Sequence, residues 1–448
     1  MPKLRIAVVG SGIAGLSCAW ALSQRHDVIL IEAQNRVGGH ANTVSVNTKA
    51  GPIAVDTGFI VFNSWTYPNF TALMDYLDQP IGRTQMSFSV SADNARYEYS
   101  GHHLGTLMGS ARQWFSPTHW RMMGDLLRFY RQAERHCPQV AADTTLVQYL
   151  QQFGFGDGFL QRHILPMAGA IWSASPEQIA AYPFHAFIQF FANHKLFELG
   201  KRPDWNTVTG GSSAYVHKLV EDAKFELRLS APVLQVKRSA DQVTVTYQSG
   251  ETERFDHVVL ATHGDAALGL LAQPTAAERA VLSAFKTSAN RVYLHRDAAL
   301  MPRHKRFWSG WNYRLDGTQS QARPDVTYWM NALQGLQSPD NHFVSLNPIT
   351  APAADLVDGV FDYRHPVFDT ATLLAQRKLW SLQGVDRVWF CGAWFGAGFH
   401  EDGLQAGLAV AEHLGGVKRP WNVEHESGRI HLAPATAPHP DSLIEAAE

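Results

Sequence analysis

The chain has 448 residues, of which 45% are hydrophobic and 17% charged, and a formal net charge of −2. That composition excludes a disordered chain, and the length is that of about two to three packed domains. The near-neutral balance argues against a dedicated nucleic-acid binder. Three scattered cysteines, Cys18, Cys137 and Cys391, argue against a disulfide framework and fit a reducing compartment.

Residues 4–9 (LRIAVV) read as a buried strand, Gly10–Gly15 as a turn, Leu16–Gln24 as a helix and Val28–Ile31 as a second strand. This βαβ unit opens a doubly wound sheet. The apolar run from Ile6 to Leu22, behind Lys3 and Arg5, imitates a secretory leader, but Gly10, Ser11, Gly12 and Gly15 interrupt it. No other stretch has the length of a membrane span, so a cytoplasmic location is expected. Residues 105–135 and 144–200 predict a mostly helical insertion. Residues 225–261 predict three strands with a turn at Ser249–Gly250. Further strands are expected at 287–295, 326–347 and 387–391, then a last helix over Gly403–Leu414. From Glu424, with Pro434, Pro438 and Pro440, an extended tail is expected. There is no HExxH and no paired CxxC, so no metal site is expected.

The segment VVGSGIAGL carries Gly10-x-Gly12-x-x-Gly15 between a strand and a helix. Gly10 permits the tight turn, Gly12 lets backbone approach a pyrophosphate, and Gly15 lets helix pack on strand. The helix N-terminus offers free N–H groups and a partial positive charge to phosphates. Glu32 ends the second strand seventeen residues after Gly15, placed to accept a ribose hydroxyl and to repel a 2′-phosphate.

Further motifs extend this fingerprint. Arg36-x-Gly38-Gly39 follows Glu32, then Asp56-Thr57-Gly58; Thr209-Gly210-Gly211 precedes a helix; a strand ends in Leu260-Ala261-Thr262; and Cys391-Gly392-Ala393 is followed by Glu401-Asp402-Gly403-Leu404-Gln405-Ala406-Gly407. The series resembles the flavin amine oxidase, phytoene desaturase and protoporphyrinogen oxidase superfamily. The resemblance implies an α/β fold: a Rossmann-like, glutathione-reductase-like FAD-binding domain with an interleaved α+β substrate domain. The FAD domain would comprise 1–80, 205–263 and 385–423. The substrate domain would have a helical part over 81–204 and a sheet part over 264–384, with 424–448 as the tail. It further implies that Gly10, Ser11, Gly12, Ile13, Ala14 and Gly15 hold the pyrophosphate, and Glu32 and Ala33 the adenosine ribose. Arg36, Gly38 and Gly39 would line the phosphate and ribityl side. Gly58, Phe59 and Ile60 would approach the isoalloxazine, and Val233 the adenine. Ala261 and Thr262 would pass near the adenosine half, and Gly392, Gly403, Leu404 and Gln405 near the ribityl chain and flavin carbonyl.

Two departures sharpen the expectation. WFGAGFHEDG has no counterpart of the flavin-linking cysteine of some amine oxidases, so FAD is expected to be non-covalent. Where many amine oxidases hold a lysine near flavin N5, the comparable stretch is NRVYLHRD, which weakens an amine-oxidising reading. LHRD, MPRHKRFWSGWNY and CGAWFGAGFHEDG also resemble a bacterial subgroup associated with cyclopropane-synthase-like methyltransferases of fatty acyl chains, which implies a lipid substrate.

The expected reaction is two-electron oxidation of an apolar substrate, favouring desaturation of an acyl chain. Amine oxidation, flavin-dependent isomerisation and a non-catalytic flavin scaffold stay open. Of the 21 histidines, His400 and His295 are the candidate catalytic residues, with His365 behind them. Residues 112–135 combine Trp114, Phe115, Trp120 and a Leu/Met stripe with five arginines. They are either an ordinary amphipathic helix or a peripheral membrane contact.

Overall fold

The computed structural model describes residues 2–141, 143–197, 204–315 and 323–432. Its central sheet has five parallel strands in the order Glu226–Arg228, Asp27–Ile31, Arg5–Val9, His257–Leu260 and Val388–Phe390. The strands come from the start, middle and end of the chain, as a doubly wound dinucleotide fold built from separated segments requires. Apart from the edge strand Glu226–Arg228, their short apolar runs are buried, because helices cover the sheet. The helix Ile13–Ser23 is buried at all eleven positions. The last helix, His400–His413, lies against it. A Cβ on Gly407 would stand 2.2 Å from the Ala14 carbonyl oxygen, so only glycine permits that approach.

A second, seven-stranded sheet runs in the order Val357–Val367, Lys286–His295, Phe343–Leu346, Asp325–Trp329, Trp311–Leu315, Phe88–Ala92 and Tyr97–Ser100. Phe88–Ala92 and Tyr97–Ser100 thus form strands of this sheet, and Ile81–Thr84 one of a separate three-stranded sheet, although all fall within the stretch expected to be helical. Their alternation, as in FSVSA and YEYS, has the period of a strand. The helices begin at Leu104 and include Pro117–His136 and Phe184–Asn193. A separate aromatic core, with Phe129, Tyr149, Phe159, Phe187 and Phe191, joins them.

The helix Pro117–His136 starts with proline at its first position, where a missing N–H costs nothing. It turns Met122, Met123, Leu126 and Phe129 inward and leaves Arg121, Arg131 and Arg135 exposed. Trp114 and Trp120 remain exposed, and Phe115 is 87% exposed. No described helix is long and apolar enough to cross a membrane.

The chain does not run free from Glu424. Arg429 bonds to Asp402 and Gln405 of the last helix, and Ile430 is buried in the main core. The proline-rich remainder of the expected tail, from residue 433, lies outside the described residues.

Candidate active site

One cavity of about 850 Å³ runs from the edge of the parallel sheet to the face of the seven-stranded sheet. Its first arm is built at the C-terminal ends of the parallel strands, where a doubly wound sheet holds ligands. Gly10 to Ala14, Glu32, Ala33, Arg36, Gly38, Gly39, Val233, Ala261, Thr262 and Gly392 line it. No side chain caps the helix at Gly12, so its first N–H groups are left for an anion. A Cβ built on Gly12 meets no protein atom within 4 Å, so the space beside it is open. Gly15 is the opposite case. A Cβ there would lie 1.9 Å from the Gly10 carbonyl oxygen and 2.9 Å from the Ala261 Cβ.

The Glu32 carboxylate is held at the end of its strand. Oε2 accepts from the Ser11 amide at 2.9 Å and from the Ser11 hydroxyl at 2.6 Å, and Oε1 accepts from the Gln34 amide. Remaining lone pairs can take a ribose diol. Arg36 donates to the Gly39 carbonyl and pins the loop that closes over this arm. These groups fit an adenine dinucleotide carrying a pyrophosphate. No cysteine lines the cavity, and Cys391 and Cys18 are buried free thiols beside one another. The site therefore offers no thiol for covalent attachment.

The second arm is apolar and aromatic. Ile60, Val61, Ile171, Trp172, Phe190, Trp205, Trp311, Tyr328, Val344 and Leu346 form its walls. Among the described residues no lysine lines the cavity. The carboxylates that border it are Glu32, at the dinucleotide end, and Asp362, which is exposed and ion-paired to Arg291. Where the arms meet stand His40, His263, His365, His400 and Tyr363. The His40 ring stacks on Tyr363 at 5.0 Å and lies 5.3 Å from His365. Its buried Nε2 has no hydrogen-bond partner in the protein, so this wall lacks a polar ligand atom that the cavity can supply.

His400 is the first residue of the last helix. It stacks face to face on Phe59, with centroids 3.9 Å apart, and its Nε2 meets the Tyr215 hydroxyl. Burial lowers its pKa to about 3, so it is neutral. Burial and then His263 lower His365 to about 4, and burial holds His40 well below the usual imidazole range. The Tyr215 hydroxyl is pushed up by burial and keeps its proton.

These shifts predict acid lability. An unfolded imidazole takes up its proton near pH 6.5, whereas buried His365 and His295 do so near 4, and His194 and His400 near 3. Between those limits the unfolded chain binds more protons, so stability falls as pH falls. Each such group removes about 1.4 kcal/mol per pH unit below 6.5. Urea midpoints should be flat from pH 8 to 7 and drop steeply towards pH 5; a flat profile to pH 5 would refute neutral burial of these rings.

Most of the residues singled out from the sequence surround this cavity, including Gly58, Phe59, Ile60 and His400. Five do not line it. Gly15 sits behind it as a packing contact. The last helix begins at His400, so Gly403, Leu404 and Gln405 lie a turn further along and face inward. Gly403 faces Ile13, and Gln405 donates to Glu401 at 2.9 Å. His295 lies inside the seven-stranded sheet, with Nε2 2.8 Å from the Ser345 hydroxyl and Nδ1 accepting from the Asp297 amide. Its strand alternates, so His295, three residues from cavity-lining Val292, falls on the other face of the sheet with Ser345 and away from the cavity wall. His40, His263, Tyr363 and Tyr215 escaped the sequence reading. For Tyr363 and His365 the period-two spacing of a strand was the available signal.

A parallel dinucleotide sheet, an open N-terminal turn, an acid on the ribose side and an apolar arm beyond define a dinucleotide-binding α/β protein with an adjoining apolar chamber. The sequence model of flavin-containing amine oxidoreductases matches residues 13–362. The chain belongs to that family. Polyamine oxidase 3 of Oryza sativa subsp. japonica is 25% identical over 341 residues, 72% of this chain and 64% of that protein. An L-amino-acid oxidase of Notechis scutatus scutatus is 23% identical over 290 residues, 61% of this chain and 53% of that one. The chain thus spans less than two-thirds of either relative. Three solved structures share the fold, each over 92% of this chain. A protoporphyrinogen oxidase-like protein from Exiguobacterium sp. 255-15 aligns with TM-score 0.65 at 13% identity over 99% of its length. A CLA-producing fatty acid isomerase from P. acnes gives 0.64 at 14% over 98%, and a redesigned putrescine oxidase 0.64 at 15% over 99%.

Proposed function

We propose that this protein removes two electrons, as hydride, from an uncharged apolar substrate, a fatty acyl chain or lipid, in a desaturase-like reaction. The observation that carries the reading is the second arm: aromatic and aliphatic walls, with no lysine among its described residues and, as the carboxylate on the sheet side of the cavity, the exposed Asp362 already paired with Arg291. An ammonium group drawn into it would shed water and meet no unpaired counter-charge, at a cost of several kcal/mol. A methylene chain loses nothing there and gains about 0.8 kcal/mol per buried CH₂.

FAD, when bound, supplies the two-electron acceptor. The chain excludes water with Trp172, Phe190, Trp311 and Tyr328 and orients the substrate between the sheet face and Phe59. Desaturation also releases a proton. We assign it to His400, a neutral imidazole on the cavity wall whose Nε2 is joined to the Tyr215 hydroxyl. Its basicity is low, but a C–H beside a carbon that has lost hydride is strongly acidic, so a weak base suffices. The exposed Trp114, Phe115 and Trp120, with Arg112, Arg121 and Arg131 nearby, fit the same reading as a face that meets anionic bilayers.

The test is flavin absorbance under anaerobic conditions as acyl phospholipid vesicles or simple amines are added. Bleaching by vesicles alone is expected, and bleaching by amines alone would overturn the substrate. His400→Phe, which keeps the stack on Phe59 and removes both nitrogens, should retain flavin and slow bleaching by about 100-fold.

A further inference from the structure

Asn290 and His365 lie on neighbouring antiparallel strands of the seven-stranded sheet. Ser288 pairs with His365 and Asn290 with Tyr363, so Asn290 and His365 are diagonal neighbours. Asn290 is 2% exposed and contributes nothing to the cavity wall, whereas His365 does. The hydrogen bonds around them form a chain whose direction is fixed from the backbone outward.

The Arg291 amide can only donate, and it donates to Asn347 at 2.9 Å, so the atom that receives it is Oδ1. The Asn347 amide in turn donates to the Arg291 carbonyl at 2.8 Å, which locks the asparagine to this strand. Asn347 Nδ2 is then a donor, and it meets Asn290 at 2.7 Å, so that atom of Asn290 is Oδ1. Asn290 Nδ2 must point the other way, where it donates to the Ser288 carbonyl at 3.2 Å and lies 3.1 Å from His365 Nδ1. An amide N–H₂ has no lone pair to offer. His365 Nδ1 must therefore be the acceptor, and the proton of the neutral ring sits on Nε2. Among the described residues Nε2 has no protein partner.

We propose that Asn290 is a positioning residue that holds His365 as its Nε2–H tautomer, so that His365 presents a hydrogen-bond donor, not a base, to the cavity. The ligand group opposite it is then an acceptor, such as a carbonyl or carboxylate oxygen. The same arrangement opposes protonation, since a second ring proton would face the amide N–H of Asn290, in line with the lowered pKa of this ring. Proton acceptance in turnover therefore falls to another group. The inference concerns the resting flavoprotein without substrate, so it stands or falls apart from the acyl-chain reading above.

The test is ¹⁵N nuclear magnetic resonance of the flavin-loaded protein labelled at the histidine ring nitrogens, with the His365 pair identified by its loss in His365→Gln. The expected wild-type signal is a protonated Nε2 and an unprotonated Nδ1. In Asn290→Asp the carboxylate can only accept, so a proton should appear on Nδ1. Asn347→Ala, which frees the Asn290 amide to turn, should give a mixture of the two tautomers. A wild-type ring protonated at Nδ1 would overturn the proposal without any variant. So would an Nε2–H signature unchanged in both folded variants, because a purely structural contact would not set the tautomer.

Discussion

Gly12→Ala should purify as a folded protein that has lost its flavin band, whereas Gly15→Ala should fail to accumulate as folded protein. The two substitutions add the same methyl group three residues apart, and the structure gives it opposite surroundings. At Gly15 the new carbon would sit 1.9 Å from the Gly10 carbonyl oxygen and 2.9 Å from Ala261 Cβ. Relief would require the helix Ile13–Ser23 to move off the strand Arg5–Val9, in the most buried layer of the protein. Overpacking of a core by one methylene costs about 1–3 kcal/mol, and contact with backbone exceeds that range. At Gly12 the φ of −64° and ψ of 175° suit alanine, and no protein atom lies within 4 Å of the added carbon. The methyl group enters only the space that a pyrophosphate needs. A shift of even about 3 kcal/mol in binding is roughly a hundredfold in affinity. Circular dichroism and urea unfolding of the flavin-free form, together with flavin absorbance after reconstitution, separate the two effects. A Gly12→Ala protein that retains stoichiometric flavin through dialysis would show that the cofactor does not approach this turn.

The contrast shows which part of the site was legible from residues alone. In the glycine fingerprint, turn, close approach and helix start all lie within six positions, so local sequence carries the geometry. Glu32 was legible for the same reason, being one strand away. The histidines were not, because their roles depend on contacts between distant segments. His295 occupies a strand that does border the cavity, since Val292 lines it. Its ring falls on the opposite face by strand alternation, and which face of the strand meets the cavity is settled only by the packing of the second sheet. His40 stands out only when strand Val357–Val367 brings Tyr363 and His365 against it from more than 300 positions along the chain. The last helix was read from Gly403 because Phe399 and His400 offer no side-chain cap signal, and the structure starts it at His400. The apolar arm draws on separated segments, from Ile60 to Leu346, that no single pattern marks. That it forms a cavity wall beside the dinucleotide arm depends on two sheets meeting, which composition does not encode.

Arg429→Met should destabilise the folded protein by about 3–5 kcal/mol, more than removal of any exposed ion pair in the molecule. Arg429 comes from the stretch that the sequence marks as the start of a tail. Its Nε donates to Asp402 Oδ1 at 2.6 Å, a second nitrogen reaches Oδ2 at 3.3 Å, and a third donates to the Thr66 carbonyl at 2.7 Å. Asp402 is fully buried in the first turn of the last helix, and its Oδ2 also accepts from the Phe399 amide. Burial pushes the Asp402 carboxyl above its ordinary range even beside Arg429, so desolvation weighs heavily on this pair. Loss of the guanidinium leaves a buried carboxylate with two backbone donors, Phe399 and Ala397, and no counter-charge. Asp402→Asn in the same background removes that stranded charge, so the double variant should regain a large part of the stability, with a coupling of up to about 3 kcal/mol. The pair also fastens the N-terminus of the helix that begins with His400, so Arg429→Met should raise the fluorescence of bound flavin as that wall loosens. Urea unfolding of the flavin-loaded single and double variants checks both statements. A single variant within about 0.5 kcal/mol of the parent would place the pair in solvent and class it with surface ion pairs.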